Sequence, residues 1–185
     1  YESSRGLKKS QVDELARCDW LRQDRALNTI VTGMTGTGKT WLAKSLAREA
    51  VQKSIPTRYW RAPQLIEQLT EARKEGTPAQ FRDRTNSRRL LVLDDFGMTP
   101  MDEQVCDDFL SLLDARAKKG SLIIASQRPF REWYEYLGSN YYADAIINRL
   151  KNTSYRIELK GRSLRESTQE AQMVNKRKSK KNLTT

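Results

Sequence analysis

Apolar runs of strand length alternate along this chain with stretches of helical period. Leu27 to Val31 is β-prone and apolar, and it breaks at three glycines before Trp41-Leu42-Ala43-Lys44-Ser45-Leu46-Ala47 opens a helix expected to reach about Lys53. Ile55-Pro56 ends that helix, and Thr57 to Arg61 has strand character. Pro63 then starts a helix to Lys74 with Leu65, Ile66 and Leu69 on one face. Leu90-Leu91-Val92-Leu93 is four apolar residues bounded by charge, the pattern of a central parallel strand covered on both faces. From Met101 to Lys119, Val105, Phe109, Leu112 and Leu113 share a helix face, with Gly120 as the expected C′ glycine. Ser121 to Gln127 reads as another buried strand, Pro129 to Tyr136 as a short helix, Tyr142 to Leu150 as a further helix and Thr153 to Leu159 as a last, alternating strand. Ahead of them all, Leu7, Val12, Leu15 and Ala16 have helical spacing, with Ser10 the expected N-cap. This succession predicts an α/β fold, an αβα sandwich around a central parallel sheet with right-handed crossovers. It occupies residues 27–166, between a lead-in of residues 1–26 and a tail of residues 167–185.

Between the first strand and its helix, Gly33 to Thr40 has the spacing G-x-x-x-x-G-K-T of a phosphate-binding loop. Glycines let the backbone wrap until successive N–H groups point at phosphate oxygens, and the helix N-terminus adds partial positive charge. The expected ATP-binding set is Gly33, Met34, Thr35, Gly36, Thr37, Gly38, Lys39, Thr40 and Trp41. Lys39 would reach the β- and γ-phosphates, and the Thr40 hydroxyl would be a ligand of Mg²⁺. The central strand ends in Asp94-Asp95, at the edge where ligands bind in open α/β sheets. There Asp94 would hold the Mg²⁺ through a water, and Asp95 would orient or deprotonate the attacking water. Gln127, with Ser126 behind it, is the candidate to sense the γ-phosphate from the next buried strand. The whole reads as a RecA-like P-loop NTPase.

Charge changes the picture further. In 185 residues the formal net charge is +11, which points to a polyanionic partner. Much of the surplus is local: Arg73 and Lys74, then Arg82, Arg84 and Arg88 in a first cluster, and Lys176, Arg177 and Lys178 in the tail. The first cluster suits phosphate contact, and a solvated linker is the competing reading. Neither cluster suggests base readout, so double-stranded DNA gripped by its backbone is the expected target. The absence of histidine excludes His-based proton transfer and His-ligated metals, and two cysteines make neither a zinc cluster nor a disulfide framework. No apolar run approaches membrane-spanning length and no secretory signal opens the chain, so the cytoplasm is the expected compartment. The chain starts at Tyr1 rather than at a methionine, which points to a preceding segment. Trp20 and Leu21 in the lead-in are expected to pack in the core, with closure over adenine the alternative.

The chain resembles the IstB/DnaC-type AAA+ ATPases, and within them the IstB side, the ATP-dependent helpers encoded beside transposases in insertion sequences. The resemblance rests on Cys18-Asp19-Trp20, Gly33 to Thr40, Leu90 to Gly97, Arg128-Pro129-Phe130-Arg131-Glu132-Trp133, Ala143 to Leu150 and Lys160-Gly161-Arg162-Ser163-Leu164-Arg165. It departs from the family pattern at Gln127, where the family usually has Asn, at Asn148, where it has Asp, and at Asp95, where many relatives carry Glu. The resemblance implies an AAA+ domain without an obvious C-terminal lid, ATP and Mg²⁺ as cofactors, a cognate transposase as partner and self-assembly into a ring or helix on double-stranded DNA. It also implies that Arg149 is an arginine finger completing the ATP site of the next subunit; on its residues alone Arg149 reads as a surface arginine near a helix end. Arg165 would be a second sensor or a DNA contact. A DnaC-type helicase loader and a slow-turnover ATP-binding DNA scaffold are the alternatives.

Overall fold

The structure, a computed structural model, describes residues 6–22, 27–138 and 141–164. Its centre is a sheet of five parallel strands: β1 (Asn28–Gly33), β2 (Thr57–Arg61), β3 (Leu90–Phe96), β4 (Ser121–Ser126) and β5 (Ser154–Leu159), in the order β2-β3-β4-β1-β5. Each connection from one strand to the next carries at least one helix, and short 3-10 turns stand at Asp19–Leu21 and Phe130–Glu132. The helices are α1 (Lys9–Arg17), α2 (Lys39–Gln52), α3 (Ala62–Lys74), α4 (Pro78–Asn86), α5 (Glu103–Arg116), α6 (Trp133–Tyr136) and α7 (Tyr141–Lys151).

Alternate residues of the strands divide two cores. Leu90 and Val92 pack with α1 and α2 on one face, while Leu91 and Leu93 pack with α3, α4, α5, α6 and α7 on the other. Trp20 and Leu21 join the first core, where the Trp20 indole N–H donates to the Leu15 carbonyl at 2.9 Å. They serve packing, the first of the two expectations. The strand starts are stitched by Asn28, whose side chain accepts from Leu122 N–H at 2.9 Å and donates to Thr153 Oγ1 at 3.0 Å.

Three local expectations are corrected. Lys8, not Ser10, occupies the N-cap position of α1, which has no side-chain cap, and Ser10 lies in the first turn. The segment weighed as a linker is helix α4: Pro78 starts it, and Phe81, Thr85 and Asn86 face the core. Only one of those three residues is large and apolar, so its pattern is faint. Helix α5 stops at Arg116, and Gly120 is not a left-handed cap. Gly120 is needed for close approach, since a Cβ there would run into the Arg89 carbonyl and crowd Arg116. The Arg116 guanidinium is buried behind it and donates to the carbonyls of Arg88, Arg89 and Ser121 at 2.8–3.2 Å and to Asn86 Oδ1 at 3.3 Å. Burial, followed by the nearby Arg89 charge, lowers its pKa to about 10.

Candidate nucleotide site

The carboxyl ends of β1, β3 and β4 meet at one edge of the sheet, and the Gly33–Thr40 loop turns there into α2. Gly36 has φ +81°, and a Cβ on it would collide with Ser163. The Leu164 N–H donates to the Gly36 carbonyl at 2.8 Å, so the segment after β5 lies directly on the loop. Inside the turn, Lys39 is 8% exposed and its Nζ donates to the Met34 carbonyl at 2.7 Å, an acceptor shared with Thr37 Oγ1 at 2.8 Å. Thr35 Oγ1 donates to Gln127 Oε1 at 2.8 Å, which ties the loop to the tip of β4. Trp41 is 66% exposed and lines a groove with Val12 and Ala16 of α1.

The carboxylates stand where β3 breaks its own alternation. The register with β4 passes from Leu93↔Ile124 to Phe96↔Ser126, one residue more on β3 than on β4, which is a bulge. Asp95 sits in it with φ +59°, a left-handed conformation that Asp tolerates better than most residues. Asp94 therefore keeps the face of Leu90 and Val92, while Asp95 is re-aimed toward β2. Asp94 is buried, and its Oδ1 accepts from Thr40 Oγ1 at 3.1 Å and from the Asp95 N–H at 3.0 Å. Its Oδ2 accepts from the Tyr59 hydroxyl at 2.6 Å. Asp95 Oδ2 accepts from Arg61 Nε at 3.0 Å and Nη2 at 2.9 Å.

These residues fit the groups that their pattern implies. A glycine-lined turn with inward Lys39 at a helix start matches a polyphosphate. A hydroxyl and a buried carboxylate 3.1 Å apart beside it offer the hard oxygens that Mg²⁺ takes. Sequence reasoning missed Tyr59 and Arg61. The signal for Arg61 was its place at a strand tip, but only the strand order sets β2 beside β3, with Arg61 opposite Asp94.

Other candidates lie elsewhere. Arg149 is in the last turn of α7, at the amino edge of the sheet. Six residues of β1 at about 3.3 Å each separate that edge from the loop by roughly 20 Å. Both Arg149 Nε and Nη2 bond to Asp114, and this bond raises the guanidinium pKa. Arg73 is committed to Asp108 at 2.8 Å and Asp107 at 3.5 Å, and Lys74 lies 3.7 Å from Glu71. On α4 and just after it, Arg84 and Arg88 are exposed and Arg82 is half-buried. Lys176, Arg177, Lys178 and Arg165 fall outside the described residues. Among the described residues no helix is long and apolar enough to cross a membrane.

Comparison with known proteins places the chain in a lineage. A family model described as IstB-like ATP binding protein matches residues 1–172. The insertion sequence ATP-binding protein y4pL of Sinorhizobium fredii is 38% identical over 167 residues, which is 90% of this chain and 67% of that protein. A second from the same organism, y4uH, is 35% identical, and the chain spans 64% of its length. Among solved structures, AMPPCP-bound DnaA from Aquifex aeolicus superposes with a TM-score of 0.69 at 21% identity, over 91% of this chain and 53% of that one. The fold is that of the P-loop AAA+ proteins. With a family match over nearly its whole length and the phosphate loop formed at the sheet edge, the chain belongs to the family of IstB-like ATP-binding proteins.

Proposed function

We propose that this chain is an ATPase that assembles on double-stranded DNA when ATP is bound and recruits or stimulates a partner transposase. The observation that carries the reading is the group formed by Lys39, Thr40 and Asp94 at the mouth of a glycine turn, with Thr40 Oγ1 3.1 Å from Asp94. Its biological setting comes from relatives named as insertion sequence ATP-binding proteins. Bound Mg²⁺ would supply positive charge against the phosphates, and Thr40 and Asp94 would hold it and its water. Lys39 exchanges the Met34 carbonyl for phosphate oxygens. Asp95 orients the attacking water, and Gln127 reports the γ-phosphate to β4. Arg149 lies at the opposite edge of the sheet from its own loop, and the resemblance to AAA+ ATPases assigns it to the next subunit's site as an arginine finger. That arrangement requires head-to-tail contact between copies. Arg84, Arg88 and the basic tail supply backbone contacts to DNA.

The test is binding to long duplex and to single-stranded DNA, with and without ATP, read by electron microscopy and sedimentation. Regular multimers on duplex only with ATP are expected, and Lys39→Ala should lose them. Assembly by Lys39→Ala equal to that of the unmodified chain would refute the cradle assignment, and preference for single strands would favour a helicase-loader role.

A further inference from the structure

The phosphate-loop reading leaves Tyr59 without a role, although its hydroxyl makes the shortest of the hydrogen bonds given above for Asp94. In a parallel pair, residues directly opposite share a face, and Arg61 is opposite Asp94 while Tyr59 is opposite Val92. Tyr59 therefore stands diagonally across from Asp94 on the same face, and a side chain of its length spans the roughly 7 Å of such a diagonal. The Lys44 ammonium on α2 lies over the ring, 5.1 Å from its centroid, and the hydroxyl reaches Asp94 Oδ2 at 2.6 Å.

The two Asp94 oxygens are thus divided. Oδ2 accepts from a neutral tyrosine on the neighbouring strand, and Oδ1 faces Thr40, the residue that would share Mg²⁺ with it. A carboxylate on two rotatable bonds would otherwise swing between these partners. We propose that Tyr59 is a positioning residue for the metal: its hydroxyl locks the Asp94 carboxylate so that Oδ1 stays turned toward Thr40 and the metal's water shell. A phenylalanine would keep the ring, its packing and the Lys44 contact, and would lose only the lock. This inference rests on the proposed ATP and Mg²⁺ reading and adds a residue to it.

The experiment measures affinity for a fluorescent, non-hydrolysable ATP analogue as Mg²⁺ is titrated, for the unmodified chain and for Tyr59→Phe. For Tyr59→Phe, affinity without Mg²⁺ should be unchanged, while the Mg²⁺ concentration giving half of the metal-dependent gain should rise about tenfold, the scale of one hydrogen bond to a charged group. Superimposable Mg²⁺ curves would overturn the proposal. So would an equal loss of affinity with and without the metal, because that describes a residue supporting the pocket in general. A melting temperature within a few degrees of the unmodified chain shows that the variant is folded, and if it is not, Tyr59→Leu, which keeps an apolar side chain without a donor, takes its place under the same criteria. Failure of the parent reading looks different: the unmodified chain itself would bind the analogue without any response to Mg²⁺.

Discussion

Replacing Arg61 with alanine separates two roles that Asp95 cannot fill at once. In the structure both Nε and Nη2 of Arg61 donate to Asp95 Oδ2, so the carboxylate proposed to orient the attacking water is held by β2. The side chains are 55% and 24% exposed, so solvent screens the pair, and about 0.5–1.5 kcal/mol is a fair value for it. If Asp95 must release Arg61 before it can order the water, that amount is part of the barrier. Removing it should raise kcat by a factor of roughly 2–10, since about 1.4 kcal/mol is tenfold in rate. The KM for ATP should stay within about twofold, because Arg61 is bonded to Asp95 rather than to the loop. Added salt, which weakens exposed pairs, should raise the rate of the unmodified chain toward that of Arg61→Ala. The assay is steady-state ATP hydrolysis without DNA, at saturating ATP and Mg²⁺, across a range of salt. A kcat for Arg61→Ala well below that of the unmodified chain would refute the reasoning, because Arg61 would then be assisting the chemistry.

Three further outcomes are expected. Arg149→Ala should keep ATP affinity and lose at least tenfold in hydrolysis, and mixing it with a Lys39→Ala chain should restore part of the rate if the arginine acts on a neighbouring subunit; no recovery in mixed samples would remove the finger assignment. Arg116→Ala should lower unfolding free energy in a denaturant titration by about 3–5 kcal/mol, because three backbone carbonyls and Asn86 lose a buried donor. Burial pushes the Cys106 thiol up to about 11 from 9.0. The folded chain then holds more protons than the unfolded chain between these values, so Cys106 contributes to stability below about pH 9 and the contribution is lost as pH rises toward 11. Unfolding free energy measured across that window should fall more steeply for the unmodified chain than for Cys106→Ser.

Much of this arrangement could be read from local pattern. Strand, loop and helix around Gly33 to Thr40 are specified by residues near in sequence, and Leu90 to Leu93 is apolar on both faces because both faces are covered. What pattern could not supply was adjacency. That β2 rather than another strand borders β3, and so brings Tyr59 and Arg61 to the carboxylates, is a property of strand order. Nor does a row of residues reveal a bulge: Asp94 and Asp95 read as one acidic pair, yet a single extra residue in β3 turns them to different partners. Helix α4 was faint for a third reason, since Thr85 and Asn86 fill core-facing positions where apolar residues would have announced it. The basic residues illustrate a fourth limit, because Arg73 belongs by charge to a cationic surface and by geometry to Asp107 and Asp108.

The two edges of the sheet hold their polar groups in opposite ways, and the difference bears on function. At the amino edge Arg116 is buried and bonded mainly to backbone carbonyls, which cannot leave without moving the starts of β3 and β4. At the carboxyl edge the contacts run mostly between side chains and are exchangeable: Lys39 with the Met34 carbonyl, Thr40 with Asp94, Thr35 with Gln127, and Arg61 with Asp95. Each is worth about 1 kcal/mol net. An incoming triphosphate can exchange them one at a time, offering Lys39 better acceptors than a carbonyl, while the strands beneath stay fixed. The Arg149–Asp114 pair at the amino edge differs from Arg116, for both of its side chains are about half exposed. It is a contact that a second copy could exchange for its own, and the proposed action of Arg149 between subunits would require such an exchange.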